Sequence, residues 1–130
     1  MEIEEKINYW KDLAQYDLDT AKAMLSGKRY LYVGSMCHQT IEKILKAYYT
    51  KAKEETPPFT QNLRYLAERS MVYDMFSEEQ KDLLDELLQL NIEARYPTHK
   101  KRLLQTLSFS TCRVLIQETE GLCKWIEKRL

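Results

Sequence analysis

The sequence predicts an all-α protein, a single up-and-down helical bundle of about five helices. The chain has three glycines and three prolines among 130 residues, which is too few for the many turns of a β-sandwich or barrel. Along most of its length, apolar residues recur at steps of three and four, the spacing of an amphipathic helix. Because single domains cluster at about 100–150 residues, we expect residues 1–130 to form one domain.

The first two predicted helices form an antiparallel hairpin. The first covers about residues 3–24 and ends at Ser26-Gly27-Lys28, where Gly27 suits the left-handed conformation that closes many helices. The second covers about residues 30–51. A connection this short places two helices side by side and antiparallel.

Three further helices are predicted from capping residues and breakers. A short helix over about residues 60–70 has Thr60 as its expected N-cap. A fourth begins after the capping box that runs from Ser77 to Gln80, extends to about residue 93, and is closed by Pro97. A last helix covers about residues 108–128. No pattern predicts the conformation of residues 97–107.

The charge balance excludes one class of nucleic-acid-binding protein. Twenty Lys and Arg residues match twenty Asp and Glu residues, so the formal net charge is zero. Proteins that coat DNA or RNA without sequence preference are strongly basic. A local basic patch remains compatible with this composition.

The cysteines and the N-terminus predict a cytoplasmic protein. Cys37, Cys112 and Cys123 are odd in number and lack a paired spacing, which favours free thiols in a reducing compartment. The first residues are acidic, unlike those of a signal peptide. No apolar run approaches the roughly 20 residues that a membrane span requires.

Common cofactor and catalytic motifs are absent from the sequence. The glycines stand alone rather than in a phosphate-binding loop, and no serine lies in a Gly-x-Ser-x-Gly turn. Neither histidine follows a glutamate by three positions, the spacing of di-iron bundle sites. Cys112 and Cys123 are about 16 Å apart along one helix, too far to share a metal ion. We therefore predict no cofactor and no metal.

The segment from Cys37 to Ala47 carries polar groups near the predicted core. His38 and Glu42 are four positions apart at the border of the apolar face, where they can form a hydrogen bond. Gln39, Lys43 and Lys46 are expected to point away from the core. The simpler interpretation is a half-buried pair that stabilises the helix.

The segment Ala94-Arg95-Tyr96-Pro97-Thr98-His99-Lys100-Lys101-Arg102 is the second one of interest. An arginine close to a histidine suits RNA cleavage, since the imidazole moves a proton for the 2′-hydroxyl and the guanidinium holds the phosphate. The alternative is that Arg95 is a cation at the negative end of a helix dipole. The sequence alone favours that alternative.

These two segments, in this order, resemble the HEPN family (higher eukaryotes and prokaryotes nucleotide-binding), specifically its Arg-Tyr-Pro subgroup. The resemblance covers essentially the whole chain. The matching residues are Trp10, Ala14, Asp17-Leu18, Gly27-Lys28-Arg29-Tyr30, Cys37-His38-Gln39, Ile41-Glu42-Lys43, Leu45-Lys46-Ala47, Thr60, Leu63, Leu66, Ala94-Arg95-Tyr96-Pro97 and Trp125-Ile126. Gln61 stands where many relatives have a histidine.

The resemblance implies a helical homodimer that binds a nucleotide or RNA and works with a minimal nucleotidyltransferase in a toxin–antitoxin-like pair. It implies a binding site formed by Arg95, Tyr96, Lys100 and Lys101, with His38 and Glu42 in supporting roles.

The resemblance also leaves two alternatives open. In the first, the protein is a metal-independent RNase toxin that uses Arg95 and His99. The family nuclease motif is Arg-x(4–6)-His, whereas three residues separate Arg95 from His99 here. In the second, the protein is a non-catalytic helical interaction module, and Arg95 pairs with a carboxylate of its own chain such as Glu42.

Several tyrosines are expected at or near the surface. Tyrosine suits interfaces because one end is apolar and the other is polar. As a group these residues favour a dimer over a monomer. They are Tyr9, Tyr16, Tyr32, Tyr49 and Tyr65.

Overall fold

The computed structural model describes residues 2–130, apart from the side chains of residues 97, 98 and 100. The described residues form six α-helices and two 3-10 turns and contain no strand, which confirms the prediction of an all-α bundle. No helix in this part of the chain is long and apolar enough to cross a membrane. The helices are α1 (Ile3–Ser26), α2 (Val33–Lys53), α3 (Leu63–Arg69), α4 (Glu78–Glu93), α5 (Pro97–Thr106) and α6 (Phe109–Glu127), and the 3-10 turns are Tyr30–Tyr32 and Tyr73–Met75.

The turn between α1 and α2 differs from the prediction at one residue. Gly27 has a φ of −84°, and it is Lys28 that takes the left-handed conformation, with a φ of 59°. The Lys28 amide donates to the Leu25 carbonyl at 3.1 Å. The left-handed residue therefore comes one position later than expected, and α1 packs along α2 as the predicted hairpin requires.

Helix α3 begins later than expected. Its N-cap is Asn62, whose side chain accepts a hydrogen bond from the Tyr65 amide at 3.0 Å. The predicted cap, Thr60, instead accepts from the Asn62 amide at 3.1 Å. The loop that leads into α3 is thus organised by two short local hydrogen bonds, and the segment around Gln61 stays outside the helix.

The capping box of α4 and its predicted end near residue 93 are confirmed, but the predicted role of Pro97 in closing it was wrong. Ser77 and Gln80 exchange side-chain to backbone hydrogen bonds at the start of α4. The helix ends at Glu93, and Pro97 opens α5 as its first residue. Proline is well suited to that position because its missing N–H would have no partner there. Residues 97–106, which the sequence left unassigned, therefore form a helix.

Helix α2 lies at the centre of the bundle. Helices α1, α3, α4 and α6 all pack against it. Because it is enclosed on several sides, its buried residues extend beyond one apolar stripe. The buried polar residues of α2 are His38, Thr40, Glu42, Lys46 and Thr50.

Helices α2 and α4 approach each other closely at Gly34. A Cβ atom at this position would lie 2.8 Å from the Cβ atom of Leu90, so a larger residue requires the helices to move apart. Glycine at this contact holds the last turn of α4 against α2. Leu90 directly precedes Asn91, and the turn that carries Arg95 follows.

A small second core joins α5 to the rest of the bundle. Leu31, Ala94 and Leu103 are buried against one another. This contact joins the 3-10 turn before α2 to the residues that follow α4 and to α5. The residue before Arg95 is therefore packed, although the Arg95 side chain itself is exposed.

The three cysteines are unpaired, as predicted, and all three are buried. Burial raises the pKa of Cys37 and of Cys123 to about 12. Of the five tyrosines expected near the surface, Tyr49 is buried, and its hydroxyl donates to Glu55 at 3.1 Å. The prediction for Tyr49 was wrong because this residue of α2 belongs to the main hydrophobic core.

Candidate functional site

Arg95 is positioned by a neutral amide rather than by a carboxylate. Its guanidinium donates to the side-chain oxygen of Gln61 at 3.2 Å, and the Asn91 amide donates to the same oxygen at 3.4 Å. Among the described residues Arg95 forms no salt bridge. The guanidinium therefore keeps its positive charge uncompensated at the surface.

Glu42, the partner of Arg95 in the interaction-module alternative, pairs with Lys46 instead. The Lys46 ammonium lies 3.0 Å from Glu42 Oε2, and both residues are buried, at 6% and 7% exposure. The ammonium also lies 5.3 Å from the centre of the Trp10 ring. The prediction that Lys46 points away from the core was wrong because Trp10 of α1 covers this side of α2.

His38 is fully buried beneath the same site. Its exposed fraction is 0%, and neither ring nitrogen has a hydrogen-bond partner of normal geometry among the described residues. The predicted hydrogen bond to Glu42 is therefore not formed.

Burial lowers the pKa of His38 to about 4. The Gln61 backbone acts in the opposite direction, and the positive charges of Arg95 and Lys43 add to the lowering. His38 is consequently neutral at physiological pH. Lys43 is itself paired with Asp17 at 2.9 Å.

A cleft lies beside the Arg95–Gln61 contact. It encloses about 330 Å³ and is lined by Glu42, Lys46, Phe59, Thr60 and Gln61. The Phe59 side chain is fully exposed. Because Gln61 both lines this cleft and binds Arg95, the cleft and the guanidinium are adjacent.

Not every surface cleft suits an anion. One between α4 and α6 is lined by Glu79, Asp82, Glu86 and Glu118. Burial raises the pKa of Glu86, and the nearby Glu118 adds to the effect. Carboxylates gathered in this way repel phosphate groups.

The comparison with protein families decides the assignment. The model of the HEPN domain matches residues 7–129. The chain belongs to the HEPN family. No curated protein and no solved structure matches it. The family match confirms the resemblance at the level of the family, and the Arg-Tyr-Pro subgroup stays a prediction.

In this HEPN domain, Arg95 and His99 have different partners. The guanidinium of Arg102 lies 2.9 Å from His99 Nδ1 and 3.4 Å from Glu93. Because a guanidinium only donates hydrogen bonds, Nδ1 must accept, which leaves the proton of the neutral ring on Nε2. His99 is half-buried and forms no hydrogen bond with Arg95.

The remaining predicted binding residues of the HEPN domain lie near Arg95 in the chain. Tyr96 and Lys101 are exposed, whereas the side chain of Lys100 lies outside the described residues. No group of three His, Cys, Asp or Glu residues that could hold a metal ion occurs in the described part of the chain.

Two site residues, Gln61 and Asn91, were not predicted to belong to the site from the sequence. An amide at either position carries no recognisable motif. Asn91 lies one helical turn before Arg95, and Gln61 follows Thr60 of the family pattern. The place of Asn91 relative to Arg95, and of Gln61 relative to Thr60, are the signals that could have identified these two residues.

Proposed function

We propose that this HEPN protein binds a nucleotide or RNA through a phosphate group at Arg95. The observation that carries the proposal is the hydrogen bond from Arg95 to the neutral side chain of Gln61. A guanidinium has five N–H donors in a planar arrangement that matches the oxygens of a phosphate. The bond to Gln61 uses one amino group and holds the side chain in place.

The charge distribution favours a local site over an extended one. The chain has zero formal net charge, so affinity must come from a few contacts. Tyr96 and Lys101 are exposed close to Arg95 in sequence. We expect few phosphate contacts and therefore a shallow salt dependence of binding.

Titration of a short single-stranded RNA, followed by fluorescence anisotropy, tests this proposal. We expect Arg95→Gln to weaken binding by about tenfold, as for loss of a charge-assisted hydrogen bond, and to reduce the salt slope by about one. Arg64→Gln is the matched control, because Arg64 is an exposed arginine already paired with Glu68 at 2.8 Å. Equal binding by wild type and Arg95→Gln would contradict the proposal.

We propose RNA binding rather than cleavage for the isolated chain. Arg102 occupies Nδ1 of His99, so a proton-transfer role for His99 requires that contact to change. The same RNA, incubated without added metal, tests cleavage directly. If wild type cleaves it and both Arg95→Ala and His99→Ala do not, the protein is a metal-independent RNase.

The partners are proposed from the family resemblance. We propose that the protein forms a homodimer in the cytoplasm and works with a minimal nucleotidyltransferase in a toxin–antitoxin-like pair. The exposed Tyr9, Tyr16, Tyr32 and Tyr65 suit an interface. Light scattering measures the mass in solution, and co-purification with a nucleotidyltransferase encoded beside the protein tests the pair. A monomer would support the non-catalytic interaction module only if it still bound a protein partner.

A further inference from the structure

Phe59 is held fully exposed at the edge of a polar cleft. It lies in the loop between α2 and α3 and directly follows Pro57 and Pro58. Each proline ring fixes one backbone angle, and Pro57 is buried. The loop is therefore anchored, while the aromatic ring at its end has no contact that removes it from water.

The cleft beside Phe59 has a polar floor. Lys46 is held by Glu42 Oε2 at 3.0 Å and by the Trp10 ring, so its charge is largely compensated. Among the described hydrogen bonds of Glu42, Oε2 is the atom engaged. The second carboxylate oxygen of Glu42 is thus available to accept a hydrogen bond from a ligand N–H group.

The cleft and Arg95 meet at one side chain. Gln61 lines the cleft together with Phe59 and accepts the hydrogen bond from Arg95 at 3.2 Å. A ligand with a flat ring at one end and a phosphate at the other carries one group for each of these features. Nucleotides combine these two groups.

We propose that Phe59 is a stacking platform for a nucleobase, whose N–H edge faces Glu42 while its phosphate contacts Arg95. The proposal rests on the function proposed above and names the part of the site that takes the base. Stacking on an exposed aromatic ring suits every base, since each has a π-face. Stacking on Phe59 therefore predicts that the site binds nucleobases in general.

NMR titration with guanosine 5′-monophosphate and with ribose 5-phosphate separates the two parts of the site. Both ligands carry the phosphate, and one lacks the base. We expect wild type to bind the nucleotide at least about fivefold more tightly, the lower end of the range for one stacked base. Phe59→Ala should remove this preference without changing the affinity for ribose 5-phosphate.

Two variants serve as controls. Phe59→Tyr keeps an aromatic ring and should retain the preference. Phe109→Ala removes a different phenylalanine, which is half-exposed at the start of α6. This variant should leave both affinities unchanged. Because Phe59 is fully exposed, the circular dichroism spectrum of Phe59→Ala should match that of wild type.

The outcomes distinguish the two proposals. If Phe59→Ala keeps the preference for the nucleotide, or if wild type has none, the stacking role is wrong, whereas weaker binding by Arg95→Gln would still support the phosphate site. If neither small ligand nor RNA binds to wild type, both proposals are wrong. A lower mass in solution for Phe59→Ala, with unchanged nucleotide affinity, would make Phe59 a contact between copies of the chain and would also overturn the stacking role.

Discussion

Arg95 donates a hydrogen bond to Gln61 across 34 positions of sequence. This contact joins the loop before α3 to the turn after α4, two segments that meet because both flank α2. The guanidinium of Arg95 is thereby held in place, and no carboxylate among the described residues neutralises its charge. The position of Gln61 is as important for the proposed site as the presence of Arg95.

Replacement of Gln61 by leucine should destabilise the fold as well as the site. Asn91 is buried, and its amide would lose the oxygen that it now contacts. We expect the free energy of unfolding to fall by about 1–3 kcal/mol, the cost of an unpaired buried polar group. Urea denaturation measures this loss.

Two variants test the cause of that loss. Gln61→Glu keeps an oxygen acceptor and should lose less stability than Gln61→Leu. Gln15→Leu removes an exposed glutamine that bonds to Asp19 and should change stability by less than about 0.5 kcal/mol. A similar loss for all three variants would argue against the role of the buried Asn91 amide.

A matched pair of glycine substitutions tests the contact between α2 and α4. Gly34→Ala would place its Cβ atom 2.8 Å from that of Leu90, and we expect a loss of about 1–3 kcal/mol from overpacking. Gly121 lies within α6, with nothing within 4 Å of an added Cβ atom. Gly121→Ala should therefore stabilise the protein, by about 0.5–1 kcal/mol, through helix propensity. Thermal unfolding of the two variants should shift in opposite directions.

The buried pair of Glu42 and Lys46 should be costly to break. Lys46→Met leaves the carboxylate of Glu42 buried without its partner, and we expect a loss of about 3–5 kcal/mol. Lys22→Met breaks the exposed pair with Glu120 and should cost less than about 1 kcal/mol. If the pair is the cause, adding Glu42→Leu to Lys46→Met should recover part of the stability in urea denaturation. A double variant no more stable than Lys46→Met would point to lost packing on Trp10 instead.

His38 should make the stability depend on pH. Its pKa is about 4 in the folded chain against an ordinary value of 6.5, so between these values the unfolded chain binds a proton that the folded chain does not. The free energy of unfolding should therefore fall as the pH is lowered from about 6.5 to 4, by about 3 kcal/mol in full. Below the folded pKa this contribution should level off.

Urea denaturation at about pH 7 and pH 5 measures that dependence. His38→Leu removes the titrating group and should flatten it, while His99→Gln removes the half-buried histidine and should retain it. A pH dependence that is the same in His38→Leu and wild type would assign it to the carboxylates instead.

Local signals in the sequence predicted much of the fold. The predicted cap at Ser77 holds because its side chain accepts a hydrogen bond from the amide three positions later. The role of Pro97 was harder to predict, because a proline can either end one helix or begin the next. Pro97 begins α5, and Leu103 of that helix packs against Leu31 and Ala94. Because Leu31 lies far from Leu103 in sequence, the residues near Pro97 did not reveal this contact.

The site was predicted less completely than the fold. Arg95 was identified from its charge and its place in the family pattern. Gln61 was noted only as a departure from that pattern, and its role became evident from a contact across 34 positions. His38 and Glu42 were assigned to the border of one apolar stripe, which assumes that a helix buries one face. Helix α2 is enclosed by its neighbours, so both residues are buried and do not bond to each other.

Because all three cysteines are buried, alkylation of the wild-type thiols can be used to detect opening of the helical bundle. Thiolates react with alkylating reagents and thiols do not, and the pKa of Cys37 and of Cys123 is raised to about 12 by burial. Alkylation at neutral pH therefore requires the bundle to open, and its rate measures how often that happens. For the same reason, a cysteine introduced by Phe59→Cys can carry a fluorescent label while the three native thiols stay in place and unmodified.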